Sequence, residues 1–210
     1  MDKLMEYITN PLFLVLIIFI MLIFIFNTVQ KLGRGKAWKQ IADETGLQFS
    51  KHQSGTYRDQ QLSGNYRGRS ITLTESVSEE RDKSRGMSES RDNRLNISTD
   101  IRVKINVPQD IKLKLNRIIT IGEATRVTGD AEIDRHFNTT SDPDWLALKV
   151  LTSTTIRQKL PQLKMGCTIY IQGAEILFDK PGRISDGKYL RFLLDFLCDL
   201  ADAVEGNNFG

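Results

Sequence analysis

The sequence predicts an α+β domain, an antiparallel sheet of about five to seven strands covered by helices, preceded by one N-terminal transmembrane helix. Three observations carry that expectation. A charge-free run extends from Tyr7 to Gln30 and is solidly apolar from Leu12 to Phe26. Two later segments alternate apolar and polar residues with period two, as half-buried strands do. Strand-like sequence comes mainly first and helix-like sequence mainly late, without the βαβ alternation of a parallel sheet.

The apolar run comes first in the chain. At about 1.5 Å rise per residue, a helix from Ile8 to Val29 crosses a hydrocarbon core of roughly 30 Å. Every side chain from Leu12 to Phe26 is apolar, so no polar face is left to meet water, as a soluble helix requires. A cleaved signal peptide needs a basic start and a small-residue cleavage site. Asp2, Lys3 and Glu6 precede the run instead, and Asn27 to Lys31 offers no such site. The run lacks Gly, Ala and Ser between Leu12 and Phe26 and has no ionisable residue, which argues a plain anchor.

Lys31, Arg34, Lys36 and Lys39 follow at once, against the single Lys3 before the run. Positive charge stays in the cytoplasm, so the N-terminus is expected outside and the rest inside. The expected organisation is a short extracytoplasmic segment 1–7, a transmembrane helix 8–30, a basic juxtamembrane connector 31–36 and a cytoplasmic domain 37–206. Inner-membrane location by one pass follows, with the bilayer as partner of the helix and anionic lipid head groups as partners of the basic flank.

The formal charge of +3 suggests nucleic acid until it is partitioned. Asp2 and Glu6 outweigh Lys3 before the flank, the flank supplies the excess of cations, and the chain from Gln40 onward is neutral. A neutral domain lacks the basic footprint of a nucleic-acid binder, and none is expected as partner.

A helix is predicted from Lys36 to Thr45, with Trp38, Ile41 and Ala42 on one side and Gly46 as its stop, after a flexible connection at Gly33 and Gly35. Strand-like Leu47 and Phe49 come next. A hairpin then joins Gln61–Tyr66 to Ser70–Val77 through Arg67-Gly68. Glu79–Arg94 mixes acids, bases and Ser around the single apolar Met87, which predicts a long mobile charged loop over 79–95.

The alternating segments follow. Ile101, Val103, Ile105 and Val107 interleave with Arg102, Lys104 and Asn106; Ile111, Leu113 and Leu115 interleave with Lys112, Lys114 and Asn116. An antiparallel hairpin turning at Pro108-Gln109-Asp110 is the expected arrangement.

Asp142-Pro143 reads as an N-cap with proline at the first helical position, leading into Trp145–Leu151. A short helix runs from Thr154 to Leu160 and stops at Pro161. Cys167–Gln172 and Glu175–Asp179 form a hairpin across Gly173. The last helix, Asp186 to Val204, sets Leu190, Leu193, Leu194, Leu197, Ala201 and Val204 on one stripe, with Arg191, Asp195, Asp199 and Asp202 toward water. Cys167 and Cys198, in apolar company, read as reduced core thiols.

Three segments are candidates for chemistry. Gly182 to Lys188 fits the GxxxxGK half of a phosphate-binding loop, but Tyr189 stands where a Mg²⁺-binding hydroxyl belongs. A glycine-bearing turn with Ser185 or Asp186 capping the last helix is the better reading. Asp130, Glu132 and Asp134 alternate ahead of His136, a pattern able to serve a hard cation or an Asp-His pair. Arg135 and Ser141 occupy the positions where an EF-hand loop needs Gly and Glu, and no nucleophile elbow lies nearby, so a polar turn is favoured. Two His and two separated Cys supply a zinc site poorly, and neither a metal nor another cofactor is expected. Arg102, Lys104, Lys112 and Lys114 share the wet face of the expected hairpin and repel one another unless an anion relieves them, although such faces are also Lys-rich to block edge association.

Trp38, Ile41-Ala42, Gly46-Leu47, Gly64-x-Tyr66-x-Gly68-Arg69 and Thr128-Gly129-Asp130 form a pattern with Asp134, Phe137, Asp142-Pro143, Ala147 and Leu151. It resembles an uncharacterised family of bacterial single-pass membrane-anchored proteins. The resemblance implies a bacterial, membrane-anchored chain and brings no activity and no functional residues with it. The residues themselves favour a membrane-tethered, non-enzymatic interaction domain with an unidentified protein partner. The alternatives are a metal-dependent or hydrolytic enzyme built on Asp130, Glu132, Asp134 and His136, and a domain binding anionic lipid or ligand through Arg102, Lys104, Lys112 and Lys114.

Overall fold

The computed structural model describes residues 11–54, 57–79, 95–107, 111–118 and 128–206. Helix α1 runs from Pro11–Thr45 without a break. The sequence predicts a flexible connection at Gly33 and Gly35, but the helix continues through both, since a helical glycine costs about 1 kcal/mol without breaking the backbone ladder. Among the described residues no helix is long and apolar enough to cross a membrane. Of the span expected at Ile8–Val29, residues 8–10 lie outside the described residues, as do the side chains of 11–14, 16 and 24–29 and those of Lys31 and Arg34. In that stretch the described side chains, Val15 and 17–23, are large, apolar and 41% to 64% exposed.

The far end of α1 is packed. Trp38, Ile41 and Ala42 are buried, and the Gly46 N–H donates to the Ala42 carbonyl (2.9 Å) as the helix ends. Among the described residues eight strands follow: β1 Gln48–Ser54, β2 Tyr57–Tyr66, β3 Arg69–Glu79, β4 Leu95–Lys104, β5 Lys112–Arg117, β6 Phe137–Asp142, β7 Thr168–Gln172 and β8 Glu175–Pro181. They form one fully antiparallel sheet in the order β1-β2-β3-β4-β8-β7-β5-β6. The expected α+β class stands, with eight strands in place of the five to seven predicted. Edge strand β6 is what sequence alone misses, because Phe137 is its one large apolar residue and no alternation announces it.

Two predicted hairpins form in register. Tyr66↔Arg69 closes over Arg67-Gly68, where both central residues take positive φ (51° and 78°), the geometry that matches strand twist. Gln172↔Glu175 closes over Gly173. β3 and β4 pair out to Glu79↔Leu95, and the predicted mobile loop between them, 80–94, lies outside the described residues.

The hairpin predicted from the alternating segments does not form. β4 pairs with β3 and β8, and β5 pairs with β7 and β6, so the β8–β7 hairpin stands between them. Period two reports which face a strand buries, not which strand lies beside it. Both segments are interior strands with one face buried, and each alternates for that reason.

The register makes the two faces explicit. Leu62, Leu73, Ile101, Phe178, Ile169 and Leu115 form one inward row across the sheet, all at most 2% exposed. Against this face pack α1 and the later helices: α2 Ala131–His136, α3 Asp144–Leu151, α4 Thr154–Lys159 and α5 Gly187–Glu205. A short 3₁₀ turn, Leu160–Gln162, continues α4 through Pro161. The predicted stripe of α5 is buried throughout, and Asp186 caps the helix by accepting from the Tyr189 N–H (3.2 Å). Pro143, instead of Asp142, holds the N-cap position of α3; the Ser141 hydroxyl accepts from the Ala147 N–H (3.2 Å) there. Asp142 ends β6 because the strand continues to the proline. Cys167 and Cys198 are free and buried, and burial raises both thiols to about 11, consistent with inert core thiols.

One loop joins the sheet to α1. Arg183 makes a bidentate ion pair with Glu75, a β3 carboxylate that is 1% exposed on the inward face. The Thr99 hydroxyl of β4 donates to the Gly182 carbonyl (3.0 Å) and accepts from the Ile184 N–H (3.2 Å). The Trp38 indole of α1 donates to the Ile184 carbonyl (3.0 Å). Arg183→Ala would leave Glu75 buried and unpaired, and is expected to cost about 3 kcal/mol of unfolding free energy in equilibrium denaturation. A loss within about 0.5 kcal/mol, as at an ordinary surface site, would contradict the role assigned to this pair.

Candidate functional site

The acidic segment is consumed by its own fold. Asp130 caps α2, its carboxylate accepting from the Glu132 N–H (3.0 Å) and the Ile133 N–H (3.4 Å), and it pairs with Arg157 (3.1 Å). Asp134 is 5% exposed. One of its oxygens accepts from the Thr128 hydroxyl (2.6 Å) and N–H (3.2 Å), the other from the Gly129 N–H (3.1 Å). Glu132 is exposed and lies 3.7 Å from Arg157. His136, two residues beyond Asp134 in the helix, is exposed, and positions i and i+2 do not face each other. The structure therefore brings Asp130 and Glu132 to Arg157 but does not gather the four residues around one cavity. Among the described residues no group of three His, Cys, Asp or Glu is placed to hold a metal.

The GxxxxGK segment is likewise structural. Arg183 and Ile184 belong to the junction beneath the sheet, Asp186 caps α5, and Lys188 is exposed.

A second polar system binds the β2–β3 turn to α5. The Tyr66 hydroxyl donates to Asp195 (2.5 Å), Arg67 pairs with Asp199 (2.7 Å), and Arg69 reaches Asp202 (2.5 Å) and Glu205 (2.7 Å). Lys159 of α4 also pairs with Asp199. Burial, then the Asp195 hydrogen bond, pushes Tyr66 up to about 12. Burial raises Asp199, but hydrogen bonds from Lys159 and Arg67 outweigh it and hold the carboxyl below its usual range; the Arg69 hydrogen bond foremost lowers Glu205. The acidic face of α5, expected to meet water, receives these cations, while Asp202 also stays exposed.

Among the described residues no helix covers the outer face of the sheet. Arg102, Lys104, Lys112 and Lys114 all point outward and are exposed, but in two pairs on β4 and β5 with the β8–β7 hairpin between them. The rows across the sheet read Arg102–Leu177–Tyr170–Lys114–Thr140 and Lys104–Glu175–Gln172–Lys112–Asp142. At β7, β5 and β6 the face dips into a groove of about 290 Å³ lined by Lys112, Lys114, Thr140, Asp142, Tyr170 and Gln172. The Lys114 ammonium sits 5.3 Å from the Tyr170 ring centroid. Sequence reasoning finds the lysines and misses Tyr170, Gln172, Thr140 and Asp142, because the strands that carry them are not neighbours in sequence. The outward phase of Tyr170 in Thr168–Gln172 is the signal that was present. Lys36 and Lys39 of the basic flank are exposed on α1, beside Gln40, Asp43 and Glu44.

Further along this face, Asp100 of β4 and Asp179 of β8 stand directly opposite each other. Burial, then the hydrogen bond and charge of Asp100, raise Asp179 to about 6. Ser76 and Ser98 hydroxyls border Asp100 at 3.2 and 3.3 Å.

Among solved structures, the mycobacterial trehalose monomycolate transport factor A matches with a TM-score of 0.51 at 10% identity, over 82% of this chain and 94% of that one. At that identity the likeness is one of fold. No known family's sequence profile matches the chain, and no curated protein matches it in sequence.

The Asp100–Asp179 pair makes stability depend on pH. A carboxyl raised on folding stabilises while it is protonated, so this contribution is complete below Asp179's ordinary value and lost as pH rises through about 6. Asp100→Asn is expected to flatten the fall of melting temperature between about pH 4 and 6 relative to the unmodified protein. Parallel melting curves across that window would contradict it.

Proposed function

We propose that this chain is a membrane-tethered, non-enzymatic interaction domain on the cytoplasmic side of a bacterial inner membrane. The observation that carries the reading is the unbroken helix α1, which joins exposed apolar side chains at Val15 and 17–23 to the buried core residue Trp38. Large apolar side chains exposed in consecutive positions have no aqueous rationale, and the apolar run Leu12–Phe26 has the composition of a lipid-facing helix. The Lys31, Arg34, Lys36 and Lys39 flank supports an inside domain and an outside N-terminus, with anionic head groups at the flank.

The non-enzymatic part of the reading rests on how the polar side chains are used. Asp130 and Asp134 hold a helix and its entry loop, Glu75 holds Arg183, and the α5 acids hold Arg67, Arg69 and Lys159. The enzyme alternative at Asp130, Glu132, Asp134 and His136 draws no support from this geometry. The fold neighbour is described as a transport factor, and a domain that works by binding accords with that description.

Reporter fusions at Gly210 test the placement. A green fluorescent reporter is expected to fluoresce and an alkaline phosphatase reporter to stay inactive, both in the membrane fraction. Active phosphatase with a dark fluorescent reporter, or recovery of both fusions in the soluble fraction, would contradict it.

A further inference from the structure

We propose that the groove between β7, β5 and β6 binds a phosphorylated polyol, either a free ester or the glycerophosphoryl head group of an anionic lipid. This deepens the interaction-domain reading by naming a ligand, and the groove's chemistry does not depend on the tether.

The first argument is position. Lysines that block edge association belong on edge strands, whereas β5 lies inside the sheet between β7 and β6. Edge defence therefore does not account for Lys112 and Lys114. Both project from one face, two residues apart, which separates their Cα atoms by about 6.8 Å. Two ammonium groups so placed repel, and among the described residues neither forms an ion pair. A phosphate with two charges relieves both and accepts from both.

The second argument is the set of neighbours. Lys114 is flanked in its row by Tyr170 and Thr140, with no acid beside it, and its ammonium lies over the Tyr170 ring, 5.3 Å from the centroid. Lys112 is flanked by Gln172 and Asp142. The Asp142 carboxylate and the Gln172 amide oxygen accept hydrogen bonds from hydroxyls, and the Thr140 hydroxyl both donates and accepts. The Lys114 row thus offers an ammonium donor free of any neighbouring acid, and the Lys112 row adds a second ammonium together with acceptors for hydroxyls. The volume, about 290 Å³, suits a ligand of head-group size.

The test uses the full chain and reads lysine acetylation by mass spectrometry. In one arm the protein is in a zwitterionic detergent with and without glycerol 3-phosphate. In the other it is in nanodiscs of phosphatidylcholine with and without phosphatidylglycerol. Acetylation of Lys112 and Lys114 is expected to fall about threefold in at least one arm, with Lys149 and Lys188 unchanged. Protection by the soluble ester assigns a free ligand; protection by phosphatidylglycerol alone assigns the lipid head group. The double variant Lys112→Ser, Lys114→Ser, whose exposed sites keep the melting temperature unchanged, is expected to abolish the calorimetric heat of ester or lipid binding. Protection in neither arm, equal protection at Lys149, or heat that survives the double variant overturns the proposal. Reporter topology is indifferent to all of these outcomes, so failure here and failure of the tethered-domain reading are separately visible.

Discussion

The fold depends on the junction at Gly182–Asp186. A buried carboxylate on a sheet is tolerable only when paired, and Glu75 has Arg183. That pair fixes the loop against β3, Thr99 fixes it against β4, and Trp38 fixes it against α1. Asp186, at the loop's end, starts α5, the helix with the largest buried apolar stripe. Helix α1, the sheet and the last helix are therefore positioned by one short segment. The α5 acids that receive Arg67 and Arg69 close the opposite side of the same arrangement.

This explains why the motifs that attract a functional reading lead elsewhere. A GxxxxGK spacing arises here from a turn, an ion-pairing arginine and a helix cap. Alternating acids before His136 arise from a helix cap and a buried carboxylate that closes its entry loop. Trp38, Tyr66, Arg69, Asp130 and Asp134, residues of the pattern on which the family resemblance rests, each hold two elements together or cap one. Gly64 belongs with them, since a Cβ there would stand 3.2 Å from the Leu47 side chain at a φ of 150°.

What was legible in the sequence was local. The terminus of α1 at Gly46, the cap and stripe of α5 and the hairpins at Arg67-Gly68 and Gly173 follow from short-range rules and are present. Strand adjacency was not legible, because Ile101–Val107 and Ile111–Leu115 carry the same alternation whichever strand lies beside them. The groove was hidden for the same reason. Its lysines come from β5 and its hydroxyl-binding groups from β6 and β7, which meet only through the β4-β8-β7-β5-β6 order. Edge strand β6 was hidden by composition, having one large apolar residue in six.

The central claim is that the Gly182–Asp186 loop is a structural junction joining α1 to the sheet. Hydrogen exchange of the full-length protein tests it most directly, at the Ile184 amide and the Trp38 indole. Both are predicted to exchange only as slowly as global unfolding allows, together with the core amides of β4 and β8. Rapid exchange at Ile184 while β4 and β8 stay protected would show the loop opening on its own, and would contradict the account.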